Sequence, residues 1–123
     1  MRTSMQRSGD AAEDQVARGL ILAGWTILGR QVRVGRAEID LIAIDPGPPP
    51  SVVVVEVRYR GRRDFGLPEE TVGQVKRARI HAAAFTLMER GVLPSGVPFP
   101  RLPLRFDLVV VEPGTVRHHR HAA

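Results

Sequence analysis

At 123 residues, with 43% hydrophobic and 25% charged residues, the chain reads as one globular domain with a modest core and no room for a second. The absence of cysteine excludes disulfides, thiolate zinc sites and a cysteine nucleophile. A net charge of +5 suits a phosphate-bearing partner, but arginine is so favoured that Lys76 is the single lysine among 18 basic residues, so basicity alone argues weakly.

Residues 1–9 read as a frayed, polar and basic start with no apolar run behind it, so no signal peptide is expected. The longest apolar stretch, Gly19 to Leu28, is interrupted by Gly24 and too short to span a membrane, which makes a cytoplasmic protein the expectation. Asp10 reads as the N-cap of a helix over 11–23, with Gly24 as its stop. Glu13, Val16, Ala17 and Leu20 fall at i, i+3, i+4 and i+7, which puts a carboxylate on the apolar stripe. Helix statistics alone favour a stripe-edge glutamate bending out to water.

Residues 25–34 form a strand, with Gly35 as a turn and Arg30, Arg33 and Arg36 around it. A second strand over 37–44 carries Glu38 and Asp40 on one face, and the proline-rich stretch 45–51 is a stiff loop. Residues 52–59 open with four valines, the pattern of a strand buried on both faces. Glu56 and Arg58 leave one face of it while Val55, Val57 and Tyr59 leave the other. A charge buried there costs several kcal/mol unless compensated, and the compensators available are the two charges themselves, a metal ion or a phosphate. These three strands most simply form an antiparallel meander.

Residues 61–68 make a basic loop into a helix over 69–90, ended by Gly91, with Val72, Val75, Ala78, Ala82 and Phe85 as its expected buried face and Lys76, Arg77 and Arg79 beside it. After a proline-rich connection, residues 104–111 form a last strand stopped by Pro113-Gly114. The end of the chain, 114–123, with His118, His119 and His121, reads as a poorly ordered tail. The element order α-β-β-β-α-β implies an α/β fold, a mixed β-sheet with helices flanking the sheet.

Asp40 and Glu56 lie on neighbouring strands across one loop, and antiparallel pairing sends both from the same face at one end of the sheet. Two carboxylates with a main-chain carbonyl, such as that of Val57, are hard oxygen ligands suited to Mg2+ or Mn2+. A metal so held activates water and stabilises charge on a phosphoryl group, and Glu13 is placed to reach it directly or through water.

The succession of a helix-borne Glu13, then Glu38-Ile39-Asp40, then Glu56-Val57-Arg58 resembles the PD-(D/E)XK nuclease superfamily. More narrowly, Gly9…Glu13…Ala17, Gly24-Trp25, Arg33…Glu38-Ile39-Asp40-Leu41-Ile42-Ala43, Val55 to Arg60, Phe65-Gly66, Lys76 to Ile80 and Arg105-Phe106-Asp107 resemble the YraN family of predicted nucleases, which is similar to archaeal Holliday junction resolvases. The resemblance runs from Ser8 to about Val111 and implies a restriction-endonuclease-like core, a divalent-metal site and duplex or branched DNA as substrate. By resemblance Asp40 and Glu56 are metal ligands, Glu13 is the helix carboxylate of the resolvase-like branch, and Arg58 stands where the catalytic lysine stands. A guanidinium cannot lose a proton, so Arg58 can clamp a phosphate but cannot act as a neutral amine. Lys76 is then a candidate to supply the missing amine from the neighbouring helix, against the reading of a chance survivor on a solvated face.

Arg30, Arg33, Arg36, Arg60, Arg62 and Arg63 are candidate phosphate contacts, with solubilising charge as the alternative for any one of them. Aromatic residues are too few for a single-strand stacking platform. Glu38 reads as the partner of an arginine, with an auxiliary metal ligand as its other reading, and resemblance to resolvases suggests a homodimer. Three functions remain from the sequence: a metal-dependent DNA endonuclease, a DNA-binding protein that kept the fold and lost turnover, or an interaction protein holding a phosphorylated partner.

Overall fold

The computed structural model describes residues 4–61 and 73–123. Helix α1 (Ser4–Leu22) leads into strands β1 (Thr26–Val34), β2 (Ala37–Asp45) and β3 (Ser51–Tyr59), followed by helix α2 (Gln74–Arg90) and strands β4 (Leu104–Glu112) and β5 (Thr115–His119). The sheet order is β1-β2-β3-β4-β5. β1, β2 and β3 pair antiparallel, as the meander reading required, and β3 pairs parallel with β4 through the α2 crossover. β3 is therefore central, and its valines pack on both faces. Val53 and Val55 meet Val16, Ala17 and Leu20 of α1, while Val52 and Val54 meet Ile80, Ala83, Ala84 and Leu87 of α2. The result is the expected mixed sheet with one helix on each side, a restriction-endonuclease-like core extended by one edge strand.

Three expectations are corrected. α1 begins at Ser4, so Asp10 is an interior residue and not the cap. No proline interrupts residues 4–9, and once the buried turns of Ala12 to Leu20 nucleate the helix, adding residues at its open end costs little. At its other end the chain behaves as read: Trp25 N–H bonds the Leu20 carbonyl at 2.9 Å and Gly24 takes φ 94°, a left-handed helix stop.

The buried face of α2 is also not the predicted one. Val75 and Phe85 are exposed, as are Ala78 and Ala82, whereas Ile80, Ala83, Ala84 and Leu87 are buried. Both sets satisfy the helical spacing, and the set that fits between the sheet and the 91–103 connection, where Leu93 and Phe99 are buried, is the one that packs. Val72, Arg62 and Arg63, with most of the 61–68 loop and the predicted first turn from Glu69, lie outside the described residues.

Finally, the predicted tail supplies β5, paired antiparallel with β4 from Leu108↔His119 to Glu112↔Thr115. Pro113-Gly114 reverses the chain in two residues, with Gly114 at φ 76°, a conformation costly for other residues. Three histidines disguised the strand, and one of them is drawn inward by a buried acid. Among the described residues, no helix is long and apolar enough to cross a membrane.

Candidate metal centre

The site begins where two strands part. β2 stays paired with β1 as far as Ala37, but its ladder with β3 ends at Leu41↔Val55. Continued in register, the ladder would set Asp40 against Glu56 and then Ile39 against Val57. Instead the Val57 N–H donates to Asp40 Oδ2 at 2.9 Å, so the side chain replaces the missing carbonyl. In a strand the N–H and C=O of one residue face the same neighbour, so the Val57 carbonyl is turned toward the same fork. Opposite this point on β1, Gln31 takes φ 51°, a strained conformation for a residue with a side chain. Arg30 and Gln31 consequently both reach α1, where strand alternation would have sent them to opposite faces.

Glu56 is 2% exposed. Its Oε1 lies 2.9 Å from Lys76 Nζ and 3.6 Å from an Arg58 Nη2, while its buried Oε2 has no hydrogen-bond partner among the described residues. An unsatisfied carboxylate oxygen in a protein interior is costly, so its persistence calls for an explanation. Asp40 is the second acid. Burial pushes its carboxyl up, the charges of Glu56 and Glu13 push it further, and the Val57 N–H and Lys76 oppose them, leaving it at about 7. Glu13, buried on the α1 stripe, is raised by its burial although Gln31 Nε2 donates to it at 2.5 Å and Arg30 Nε lies 3.4 Å away. Glu13 thus turns inward and not to water.

Three acids therefore act on one another at the strand fork, two of them held above their ordinary range. Because the Asp40 value is raised by folding, its contribution to stability is full below about pH 4 and is lost as pH climbs through about 7. In metal-free buffer, melting curves are expected to show Asp40→Asn losing less stability than the parent between pH 5 and pH 8. Parallel curves for the two proteins would contradict that assignment.

The donor set fits a hard divalent cation. A dication answers both anomalies at once, the orphaned Glu56 Oε2 and the Asp40 carboxyl that burial and like charge hold near neutral. Among the described residues, no three Asp, Glu, His or Cys side chains are grouped to enclose an ion by themselves. Asp40 and Glu56 are the two acids at the fork, and the charge of Glu13 acts on Asp40 as well.

The other predicted residues divide. Arg58 shares the Glu56 face as strand alternation required, and its buried Nε has no hydrogen-bond partner among the described residues. Glu38 pairs with Arg33 at 3.1 Å, the arginine partnership read from the sequence. Arg36 lines a cavity of about 370 Å³ with Glu38, Asp40, Lys76 and Arg79. Arg30, expected at a phosphate, is engaged with Glu13 and with Asp14 at 2.5 Å. The Arg60 N–H bonds the Val111 carbonyl at 2.9 Å.

One charged cluster was missed. Arg105 Nε and Nη2 reach Asp107 at 2.9 and 3.0 Å, and the same Nη2 reaches Asp45 at 3.0 Å. His118 Nε2 lies 2.8 Å from Asp107, and the His121 N–H donates to it at 3.1 Å. Burial raises the Asp107 carboxyl, but the bonds from His118, Arg105 and His121 outweigh it and hold the group at about 2. The available signal was Arg105 and Asp107 on one face of an otherwise apolar strand, the same pattern that exposed Glu56 and Arg58.

Fold and site together define a restriction-endonuclease-like domain with paired acids in a strand fork. The chain belongs to the uncharacterised protein family UPF0102, the YraN family, whose profile matches residues 12–111. It is 41% identical to a UPF0102 protein of Symbiobacterium thermophilum over 109 residues, covering 89% of this chain and 85% of the relative. A UPF0102 protein of Roseiflexus castenholzii is 37% identical, with 88% and 81% covered, and one of Persephonella marina is 34% identical, with 93% and 90% covered.

Proposed function

We propose that this protein is a divalent-metal-dependent endonuclease that hydrolyses phosphodiester bonds in duplex or branched, Holliday-junction-like DNA. Mg2+ or Mn2+ would be held by Asp40, Glu56 and the Val57 carbonyl, and when bound it would supply an activated water and charge stabilisation at the phosphoryl group. The observation that carries this reading is Glu56: a fully buried carboxylate with one oxygen unpartnered among the described residues, beside a second acid in an opened strand pair.

The chain's own residues have separable tasks. Lys76, 46% exposed and in contact with Glu56, fixes that carboxylate and presents its remaining N–H donors to a phosphate oxygen. Arg58, on the same face, offers a fork for the neighbouring phosphate oxygens but cannot take up a proton. Glu13, oriented by Gln31 and Arg30, keeps negative charge behind Asp40.

The test is a Mg2+ cleavage panel of linear, flapped and four-way DNA. Cleavage of at least one substrate, abolished in Glu56→Gln while the protein still melts as a folded domain, is the expected result. The second reading, a DNA-binding protein of the same fold without turnover, is favoured by the arginine at position 58 and would be established by binding without cleavage of any substrate. A cytoplasmic location and a homodimer that cuts two strands symmetrically belong to the first reading.

A further inference from the structure

The cavity over Asp40 does not end there. A second cavity of about 370 Å³ shares Arg36, Ala37 and Arg79 with it and continues between the β1–β2 turn and α2 as far as Arg90. The two are halves of one groove. Along α2 it follows Arg79, Ala83, Thr86 and Arg90, positions that share a helix face, and Gly35 and Arg36 at the β1–β2 turn form its other wall. From Arg79 to Arg90 the helix rises about 16 Å, roughly the rise of five phosphates along one strand of a duplex.

The charge is one-sided. Among the described residues no acid lines the half beyond Arg79, whereas three arginines from two separate elements do. Acids enter only at the Asp40 end, as Glu38 and Asp40 themselves. Among the described residues Arg36, Arg79 and Arg90 make no ion pair, unlike Arg30, Arg33 and Arg105. A solvated helix face accounts for one such arginine, and the helix dipole accounts for Arg90 in the last turn. Neither accounts for cations converging on a groove that opens onto the metal-ligand candidate Asp40 and onto Lys76, the partner of Glu56.

Resting on the nuclease reading, we infer that this groove is the track of the DNA strand attached to the scissile phosphate, with Arg36, Arg79 and Arg90 each meeting a backbone phosphate. Contacts of this kind position the strand without reading its sequence. The groove thereby gives the substrate a direction: the bound strand leaves the Asp40–Glu56 fork toward the C-terminal end of α2.

The experiment is the salt dependence of binding to a fluorescein-labelled duplex, read by anisotropy in EDTA. Arg36→Ala, Arg79→Ala and Arg90→Ala are each expected to lower the slope of log affinity against log salt by about 0.9, and the triple variant by about 2.7. Arg18→Ala, which removes the same charge from the exposed side of α1, is expected to leave the slope unchanged. If the parent binds and cleaves DNA but the groove variants behave like Arg18→Ala, the track is wrong and the nuclease reading survives. If the parent binds no DNA at low salt, both fall. The single variants keep the comparison open should the triple variant fold poorly.

Discussion

Replacing Lys76 by methionine is expected to reduce Mg2+-dependent cleavage by about 10²–10³-fold, the usual effect of removing one positioned donor from a developing anion. Lys76 occupies the first turn of α2, where the helix dipole disfavours a cation. Its Nζ nevertheless lies 2.9 Å from Glu56, closer than the Arg58 guanidinium at 3.6 Å. The chain uses arginine nearly everywhere else, so this position asks for what arginine lacks: a compact ammonium that can also give up a proton. Lys76→Arg is therefore expected to retain DNA affinity and fail to restore cleavage. Cleavage by Lys76→Arg indistinguishable from the parent would remove the lysine from the chemistry, and full activity in Lys76→Met would remove the cation altogether. Methionine keeps the stem length, and Lys76 is half-exposed, so a parental melting temperature should accompany the loss.

Replacing Arg105 by methionine is expected to leave the site residues in place and weaken the fold beneath them. Its side chain is 10% exposed and links Asp45, at the end of β2, to Asp107, which is fully buried on β4. Removing the cation strands two acids in a low-dielectric interior, a loss of about 3–5 kcal/mol and a melting temperature lower by roughly 10–20 °C for a chain of this size. The pH dependence has a definite sign. Asp107 is held at about 2, below its ordinary value near 3.8, so its stabilisation is present above about pH 4 and disappears as pH falls toward 2. Asp45 is lowered too, its burial outweighed by the Gly47 N–H and Arg105, and so acts in the same direction. Acid titrations of melting temperature should show the parent and Arg105→Met converging toward pH 2. A constant gap between them, or no gap at neutral pH, would show that the cluster does not carry this load.

The two clusters divide the sheet. Asp40 and Glu56 sit where β2 and β3 separate, whereas Asp45, Arg105 and Asp107 sit where Ser51 still pairs with Asp45 and Val55 with Asp107. Both are buried, but their electrostatics run in opposite directions. In the Arg105 cluster every acid has a donor, and its carboxyls are held low. In the fork the acids act on one another, one oxygen has no donor among the described residues, and the carboxyl of Asp40 is raised to about 7. The first is the signature of a satisfied structural network, and the second is the unsatisfied cluster on which the proposed function rests.

The sequence by itself determined the antiparallel meander, the central valine strand, a mixed sheet with flanking helices and the assignment of Glu56 and Arg58 to one face. Each follows from a local periodicity that no distant residue could change. It also placed Glu13 on an inward stripe without being able to say whether the side chain turned in, because that depends on Gln31 and Arg30 arriving from β1. Tertiary structure alone decided which of two equally spaced apolar sets on α2 is buried, and that Lys76 rather than Arg58 lies nearest Glu56. It alone recruited the histidine-rich end into a fifth strand and brought Asp45 across sixty residues to Arg105. Periodicity fixes the direction of a side chain within its own element. What that side chain meets is fixed by packing, and at this fork packing put two carboxylates where a strand pair comes apart.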